Sequence, residues 1–269
     1  MVDPPAAALG RAAARVRELA SDYEPPAFGH VPDPSATLFL CAVDHKAGYE
    51  RPHLIDGRGP FRGSELMWEA GLRAARSDPR LFDPAALTEA NECDVADWFR
   101  VGDETVADPH RRARLWRDLA AGLLRDHDGS PEALLAAAGG RLGGGDGLIA
   151  RLHRYEAFAD PLAKKAFLFA KIAERRGWFE VRDPEAWEVA ADSVLMRLAL
   201  RSGLVAAGPL ERVRAQTRDA LRALADASGV PVPVLDDLLW ERGRDDPDLL
   251  GADAGDLREP PRDPDSAWY

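Results

Sequence analysis

A lysine and an aspartate in the second half of the chain have the residue types and neighbours that covalent chemistry needs. Lys165 lies in the stretch DPLAKKAFLFAKIAERRG, and Asp192 directly precedes the apolar stretch SVLMRLALRSG. A lysine at the edge of an apolar helix face can have a lowered pKa, and its neutral amine is then a nucleophile. A carboxylate can stabilise positive charge that develops on a reacting carbon. Structural roles are the alternatives: the Lys165 ammonium could extend over the core into water, and Asp192 could be a plain helix cap.

Helical periodicity predicts how these two side chains are held. When residues 160–177 are wound at about 100° per residue, one face is apolar and Lys165 lies at its edge. Lys164 and Lys171 fall on the opposite, polar face. Asp192 stands at the start of the next apolar stripe, which predicts that it caps a helix there. Periodicity thus places Lys165 on one helix and Asp192 at the start of the next.

The rest of the chain predicts an all-α fold of about ten helices. Asp-Pro and Ser-Pro pairs stand before several helical segments, where a cap and a first-turn proline are common. Ser64 is expected to cap a helix in the same way, and residues 49–63 are read as a loop or short hairpin. Residues 1–243 are predicted to form one helical domain, and residues 244–269 an extended or disordered acidic tail rich in Pro and Asp.

Composition limits the classes of protein that the chain can belong to. Hydrophobic residues are 46% and charged residues 30%, the balance of a globular protein. No apolar run approaches the roughly 20 residues of a membrane helix, and the first residues lack the pattern of a secretion signal. The two cysteines, Cys41 and Cys93, cannot build a disulfide framework, a zinc site or an iron–sulfur loop. We expect a cytoplasmic monomer that contacts no membrane and needs no cofactor.

Charge is distributed unevenly along an acidic chain. The formal net charge is −11, yet residues 151–218 contain 13 basic and 9 acidic residues, while residues 241–269 contain 4 basic and 9 acidic ones. A local basic surface for a polyanion is therefore one interpretation, and ordinary surface scatter is the other. Arg111, Arg112 and Arg114 are expected on a basic helix face, for which a phosphate contact is one interpretation and simple exposure to solvent is the commoner one. The stretch Val43–Lys46 with His53 could suggest a metal site, but it lacks ligand spacing, and we predict none.

The stretch around Asp192 resembles a motif of the helix-hairpin-helix DNA glycosylase superfamily, which includes endonuclease III and the 8-oxoguanine glycosylases. Residues 191–202, ADSVLMRLALRS, keep the motif's aspartate, both of its arginines and its serine in register. Residues 158–166, FADPLAKKA, match the family's hairpin, with Lys165 at or beside its lysine. Residues 39–50, FLCAVDHKAGYE, resemble the family's early helix, whose terminal Gln probes the duplex and whose place Lys46 takes. The resemblance covers roughly residues 36–205.

The resemblance implies two helical lobes with a cleft between them and an N-glycosidase that removes a damaged base from DNA in base excision repair. Asp192 would stabilise the oxocarbenium-like sugar, and Lys165 would form a Schiff base that adds lyase activity. Substrate contacts are expected from the lysines, arginines and tryptophans nearby: Lys46, Lys164, Arg197, Arg201, Trp178 and Trp187. The tryptophans would stack on an extruded base.

Departures from the family pattern keep two alternatives open. The hairpin lacks both family glycines, whose backbone N–H groups approach a DNA phosphate, and Asp160 there would repel one. These features and the acidic charge favour a glycosidase of free modified nucleosides, as in queuosine-salvage glycosidases of related helical architecture. Lys165 and the basic region 151–218 favour DNA. The other alternative is a helical binding protein without catalytic activity.

Overall fold

The computed structural model describes residues 4–252, 259–263, 266 and 268, and most of these residues are helical. Within them, twelve α-helices, two short 3-10 helices and one two-stranded hairpin follow one another. In chain order, the elements are α1 (Ala6–Ala20), α2 (Pro34–Ala42), β1 (His53–Ile55), β2 (Arg58–Phe61), α3 (Gly63–Ser77), α4 (Pro84–Leu87), α5 (Glu92–Trp98), α6 (Pro109–His127), α7 (Pro131–Ala138), α8 (Leu148–Leu152), α9 (Lys164–Arg175), α10 (Ser193–Arg201), α11 (Leu210–Ser228) and α12 (Val232–Gly243). The 3-10 helices span Glu156–Phe158 and Pro184–Ala186. The prediction of a predominantly helical fold is confirmed.

The chain folds into two compact units. Of the described residues, 4–27, 185–252, 259–263 and 266 form the first unit, and residues 28–184 belong to the second. Lys165 therefore lies in the second unit and Asp192 in the first. Among the described residues, no helix combines the length and the apolar character needed to cross a bilayer.

An aromatic cluster forms the core of the second unit beside α2. The Trp116 side chain on α6 is fully buried, and its indole N–H donates to the carbonyl oxygen of Phe39 on α2 at 2.7 Å. The rings of Phe39, Phe82 and Phe99 lie 5.7 to 6.4 Å from the Trp116 ring, in edge or tilted orientations that favour aromatic attraction. This cluster fixes α2 against α6, so that the end of α2 has a defined position.

In the first unit, α11 packs against α1 and α10, and α12 packs against α10. Asp248 lies in the segment that follows α12 and forms a bidentate ion pair with Arg201 on α10. The distance from Arg201 Nε to Asp248 Oδ1 is 2.6 Å. Leu249 and Leu250 are buried. The beginning of the predicted acidic tail is thus folded onto its unit, while residues 253–258, 264, 265, 267 and 269 of that tail lie outside the described residues.

Some helix starts differ from those expected. The helix expected to be capped by Ser64 begins at Gly63, with Arg62 as its N-cap. The helix expected from Pro161 begins at Lys164, because Ala163 adopts a left-handed φ of 55° and breaks the helical path. The stretch before Asp192 is not helical except for the short 3-10 helix. The caps at Asp83, Asp108 and Ser130 are confirmed by their side-chain hydrogen bonds.

Replacing Trp116 by Phe should lower the free energy of unfolding by about 2–3 kcal/mol, because the change leaves a cavity and an unpaired buried carbonyl. Chemical denaturation followed by circular dichroism measures this loss. The control is Trp98→Phe, since Trp98 is only half buried and tilts onto the same cluster. A loss for Trp116→Phe no greater than that of the control would contradict the central role of Trp116.

Candidate functional site

The candidate site is built around the turn that leaves α2. Asp33 caps α2 at its start, accepting from the Ala36 N–H at 2.8 Å, and the helix ends at Ala42. The next four residues turn tightly: the His45 N–H donates to the Val43 carbonyl at 2.9 Å, and Lys46 has a left-handed φ of 31°. The carbonyl oxygens at the end of a helix lack partners within the helix and carry partial negative charge. This turn therefore attracts cationic side chains.

Arg112 on α6 holds the turn from one side. Its side chain is fully buried, which corrects the expectation of a solvent-exposed position. Its guanidinium donates to the carbonyl oxygens of Val43, His45 and Lys46, and its Nε donates to that of Ala107 at 2.7 Å. Burial lowers the pKa of Arg112 to about 10, which leaves the group charged at neutral pH.

Lys164, the first residue of α9, approaches the turn from another side. Its Nζ lies 3.2 Å from Oδ2 of Asp44 and donates to the Asp44 carbonyl at 3.0 Å. Both side chains are buried. Lys171 is buried as well. The prediction that Lys164 and Lys171 lie on a polar, opposite face of this helix is therefore wrong. Lys164 has a carboxylate partner, and this pairing keeps its charge at the site.

Lys165 has a different environment from its neighbour Lys164. Its side chain has 0% exposure, so the alternative in which its ammonium extends into water is wrong. Its Nζ donates to the Ala42 carbonyl at 2.6 Å and lies 3.2 Å from Nδ1 of His45. The first partner is a carbonyl oxygen and the second is a ring nitrogen, so neither is a carboxylate. The Ala42 carbonyl accepts an N–H of Lys165, whereas the role of His45 Nδ1 depends on the tautomer of its imidazole.

The electrostatics of the site favour a neutral amine at Lys165. Burial lowers the pKa of Lys165 well below its usual range, and the charge of Lys164 lowers it further, against a smaller opposing effect of Asp44. The charge of Arg112 adds a still smaller lowering. Burial lowers the pKa of His45, and the charges of Arg112 and Lys164 lower it further, so that its imidazole is neutral. Burial raises the pKa of the Cys41 thiol, which leaves it unreactive. The arrangement can therefore present an amine nucleophile at neutral pH.

Asp160 occupies the hairpin that precedes α9. Its carboxylate is fully buried and accepts hydrogen bonds from the N–H groups of Leu162 at 3.0 Å and Lys164 at 3.1 Å. These backbone donors face an anion that belongs to the chain itself. The side chain thus takes a role that a bound phosphate has at other helix N-termini.

Asp192 caps α10, as expected. Its Oδ1 accepts from the N–H groups of Val194 at 2.9 Å and Leu195 at 3.0 Å, and the side chain is half buried. A cap of this kind fixes the orientation of the carboxylate. Because Asp192 and Lys165 belong to different units, their joint role stays a prediction.

The other predicted substrate contacts occupy varied positions. Arg201 is paired with Asp248, and Nε of Arg197 lies 4.0 Å from Oε2 of Glu259. Lys46 is exposed, and Trp187 is buried.

Trp178 is half buried and lines a cavity of about 550 Å³ in the second unit. The carboxylates of Asp33, Glu132 and Glu180 and the guanidinium of Arg182 also border this cavity, whereas Lys165 does not. The Arg176 guanidinium lies 5.3 Å from the centre of the Trp178 ring. A cavity with more carboxylates than cations does not favour a phosphate.

His45 and Arg112 are the site residues whose roles the sequence did not reveal. The stretch Val43–Lys46 was singled out for its polar residues, but as a metal site; no group of three or more His, Cys, Asp or Glu suited to a metal occurs in the described part of the chain. The sequence did contain a signal of a buried polar site, since acidic and basic residues directly follow an apolar helix. Its meaning depends on α6 and α9, which contact this turn from distant parts of the sequence.

Comparison with known proteins adds no family to these observations. No protein-family model matches the chain, and no curated protein matches it.

Replacing Lys165 by Met should stabilise the protein most at neutral pH. The lowered pKa means that the unfolded chain binds a proton that the folded chain does not, so wild-type stability rises between the folded pKa and the unfolded value near 10.4. Relative to K165M, the wild type should therefore gain about 1 kcal/mol per pH unit within this window. Urea denaturation at several pH values from 7 to 10 measures the slope. The exposed Lys46→Met variant should show none, and a pH-independent difference for K165M would contradict the neutral amine.

Replacing Arg112 by Met should lower the free energy of unfolding by about 3 kcal/mol, because several buried carbonyls lose their donor. Arg117→Met is the matched control on the same helix, since Arg117 contacts one carbonyl, that of Ala90 at 2.6 Å. We expect a loss of about 1 kcal/mol for the control. Equal losses in the two variants, measured by denaturant titration, would show that the turn does not depend on Arg112.

Proposed function

We propose that the protein is an N-glycosidase that removes a damaged base from DNA, with associated lyase activity. The observation that carries the proposal is the Lys165 amine, which is buried beside a second lysine paired with Asp44 and, among the described residues, has no carboxylate partner. Desolvation and a neighbouring cation are the two conditions that produce lysine nucleophiles. The resemblance around Asp192 supplies the reaction class, which is base excision. In this proposal the chain acts as a monomer in the cytoplasm.

In the proposed reaction, Lys165 Nζ forms a bond to C1′ of the sugar while the bond from C1′ to the base breaks. The base leaves with the electron pair of that bond and takes up one proton. Nitrogen loses one proton, and its lone pair then expels the ring oxygen O4′, which takes up a proton from the solvent, so that a protonated Schiff base remains. The carboxylate of Asp192 would stabilise the positive charge that develops on the sugar during the first step.

The burial of Lys165 sets a condition on this reaction. Because the side chain has no exposed surface, Nζ can meet a sugar only after a local opening of the chain. An opening that is rarely populated reduces the observed rate by the fraction of open molecules. We therefore expect slow single-turnover chemistry at a well-prepared amine.

A second candidate is a glycosidase of free modified nucleosides. It is favoured by the internal pairing of groups that were expected to contact DNA. Asp160 already occupies two backbone donors of the hairpin, and Arg201 is paired with Asp248. A small substrate without a phosphate backbone would not need these groups. This candidate does not account for a lysine nucleophile, so the DNA substrate remains the first choice.

Borohydride reduction of a mixture of protein and abasic-site DNA should trap a covalent adduct. We expect the adduct in the wild type and its loss in K165M, while Lys171→Met, on the same helix, keeps it. Asp192→Asn should retain trapping on abasic DNA, because no base has to leave, but lose base release from DNA with a damaged base. Gel electrophoresis and mass spectrometry of the adduct measure these outcomes.

The same samples distinguish the second candidate. Base release from a free modified nucleoside, with no adduct on DNA, would favour the nucleoside glycosidase. Neither base release nor an adduct, on either substrate, would contradict both proposals and support a binding protein.

A further inference from the structure

The His45 side chain contacts the proposed nucleophile, Lys165, but has no role in the proposed reaction. It is 5% exposed, its Nδ1 lies 3.2 Å from Lys165 Nζ, and its Nε2 is buried without a hydrogen-bond partner in the described structure. A buried polar atom without a partner is uncommon and calls for an explanation. The position of His45 beside the Lys165 amine suggests an explanation.

The hydrogen-bond geometry restricts what His45 can do. Lys165 Nζ donates one N–H to the Ala42 carbonyl, which can only accept. The neutral imidazole then has two options toward Nζ, because it carries its single proton on one of the two ring nitrogens. If Nδ1 carries the proton, it donates to the lone pair of the amine and blocks attack. If Nε2 carries it, Nδ1 accepts the second N–H and the lone pair stays available.

We infer that His45 is a positioning residue for Lys165: its Nδ1 accepts an N–H of the amine, and together with the Ala42 carbonyl it directs the nitrogen lone pair toward the substrate. This inference rests on the proposed function, because it assigns a partner to the same nucleophile. In this arrangement the buried Nε2–H is the donor that is left without a partner in the described structure.

The backbone around His45 is built to keep the ring in place. Arg112 donates to the carbonyls of Val43, His45 and Lys46, and Lys164 donates to the carbonyl of Asp44. Every carbonyl from residue 43 to 46 therefore has a cationic partner. These contacts fix the backbone from which the imidazole extends, and burial of the ring limits its rotation, so the contact with Nζ is preorganised.

Two variants separate positioning from simple packing. His45→Asn places an amide oxygen where Nδ1 accepts, whereas His45→Leu fills similar space without an acceptor. We expect the rate of borohydride-trapped adduct formation in H45L to fall on the order of 10- to 100-fold, as for a misplaced nucleophile. H45N should recover most of the wild-type rate. Comparable rates in H45L and the wild type, or no recovery in H45N at unchanged thermal stability, would overturn the inference.

A measurement on the wild type keeps the inference testable if a variant does not fold or if the protein proves inactive. Long-range proton–nitrogen NMR spectra distinguish the two neutral histidine tautomers, and the chain has only six histidines. We expect the His45 signals, assigned by their loss in H45N or H45Q, to show the proton on Nε2. A proton on Nδ1 would overturn the inference. Absence of any adduct in the wild type, with the proton on Nε2, would instead refute the proposed function and leave the contact itself established.

Discussion

The arrangement of this site depends on the burial of one amine beside one ion pair. Lys164 and Lys165 are adjacent in sequence and both leave solvent, but only Lys164 meets a carboxylate, that of Asp44. The ion pair keeps a positive charge next to the Lys165 amine, and the absence of a carboxylate partner removes the usual stabilisation of an ammonium. Burial and repulsion therefore act in the same direction, and both lower the pKa of the Lys165 amine.

The fold supports this arrangement by holding one short turn. Trp116 fixes α2 through the Phe39 carbonyl, and Arg112, about one helical turn away on α6, binds the carbonyls that follow α2. One helix thus defines both the position of α2 and the course of the chain after it. The first turn of α9 brings the two lysines to the same place, where Asp160 satisfies the N–H groups at its start.

Local signals in the sequence were sufficient for the helices and many of their ends. Asp108 and Asp192 were predicted as caps because a capping carboxylate acts within three residues, and both predictions are confirmed. The environment of Lys165 was not predictable in this way. Periodicity places a side chain on a face of a helix but does not say which distant segment covers it, and Ala42 and His45 lie more than a hundred residues earlier in the chain. The burial of Arg112 was missed for the same reason.

The charge state of Lys165 is the central claim, and NMR titration of the lysine side chains tests it most directly. The chain contains four lysines, so a sample labelled at the lysine ε-carbon gives four signals, and the K165M variant identifies the one that belongs to Lys165. The account predicts that this signal titrates well below the usual lysine pKa of about 10.4. A Lys165 signal that titrates near this usual value in the folded protein would contradict the account.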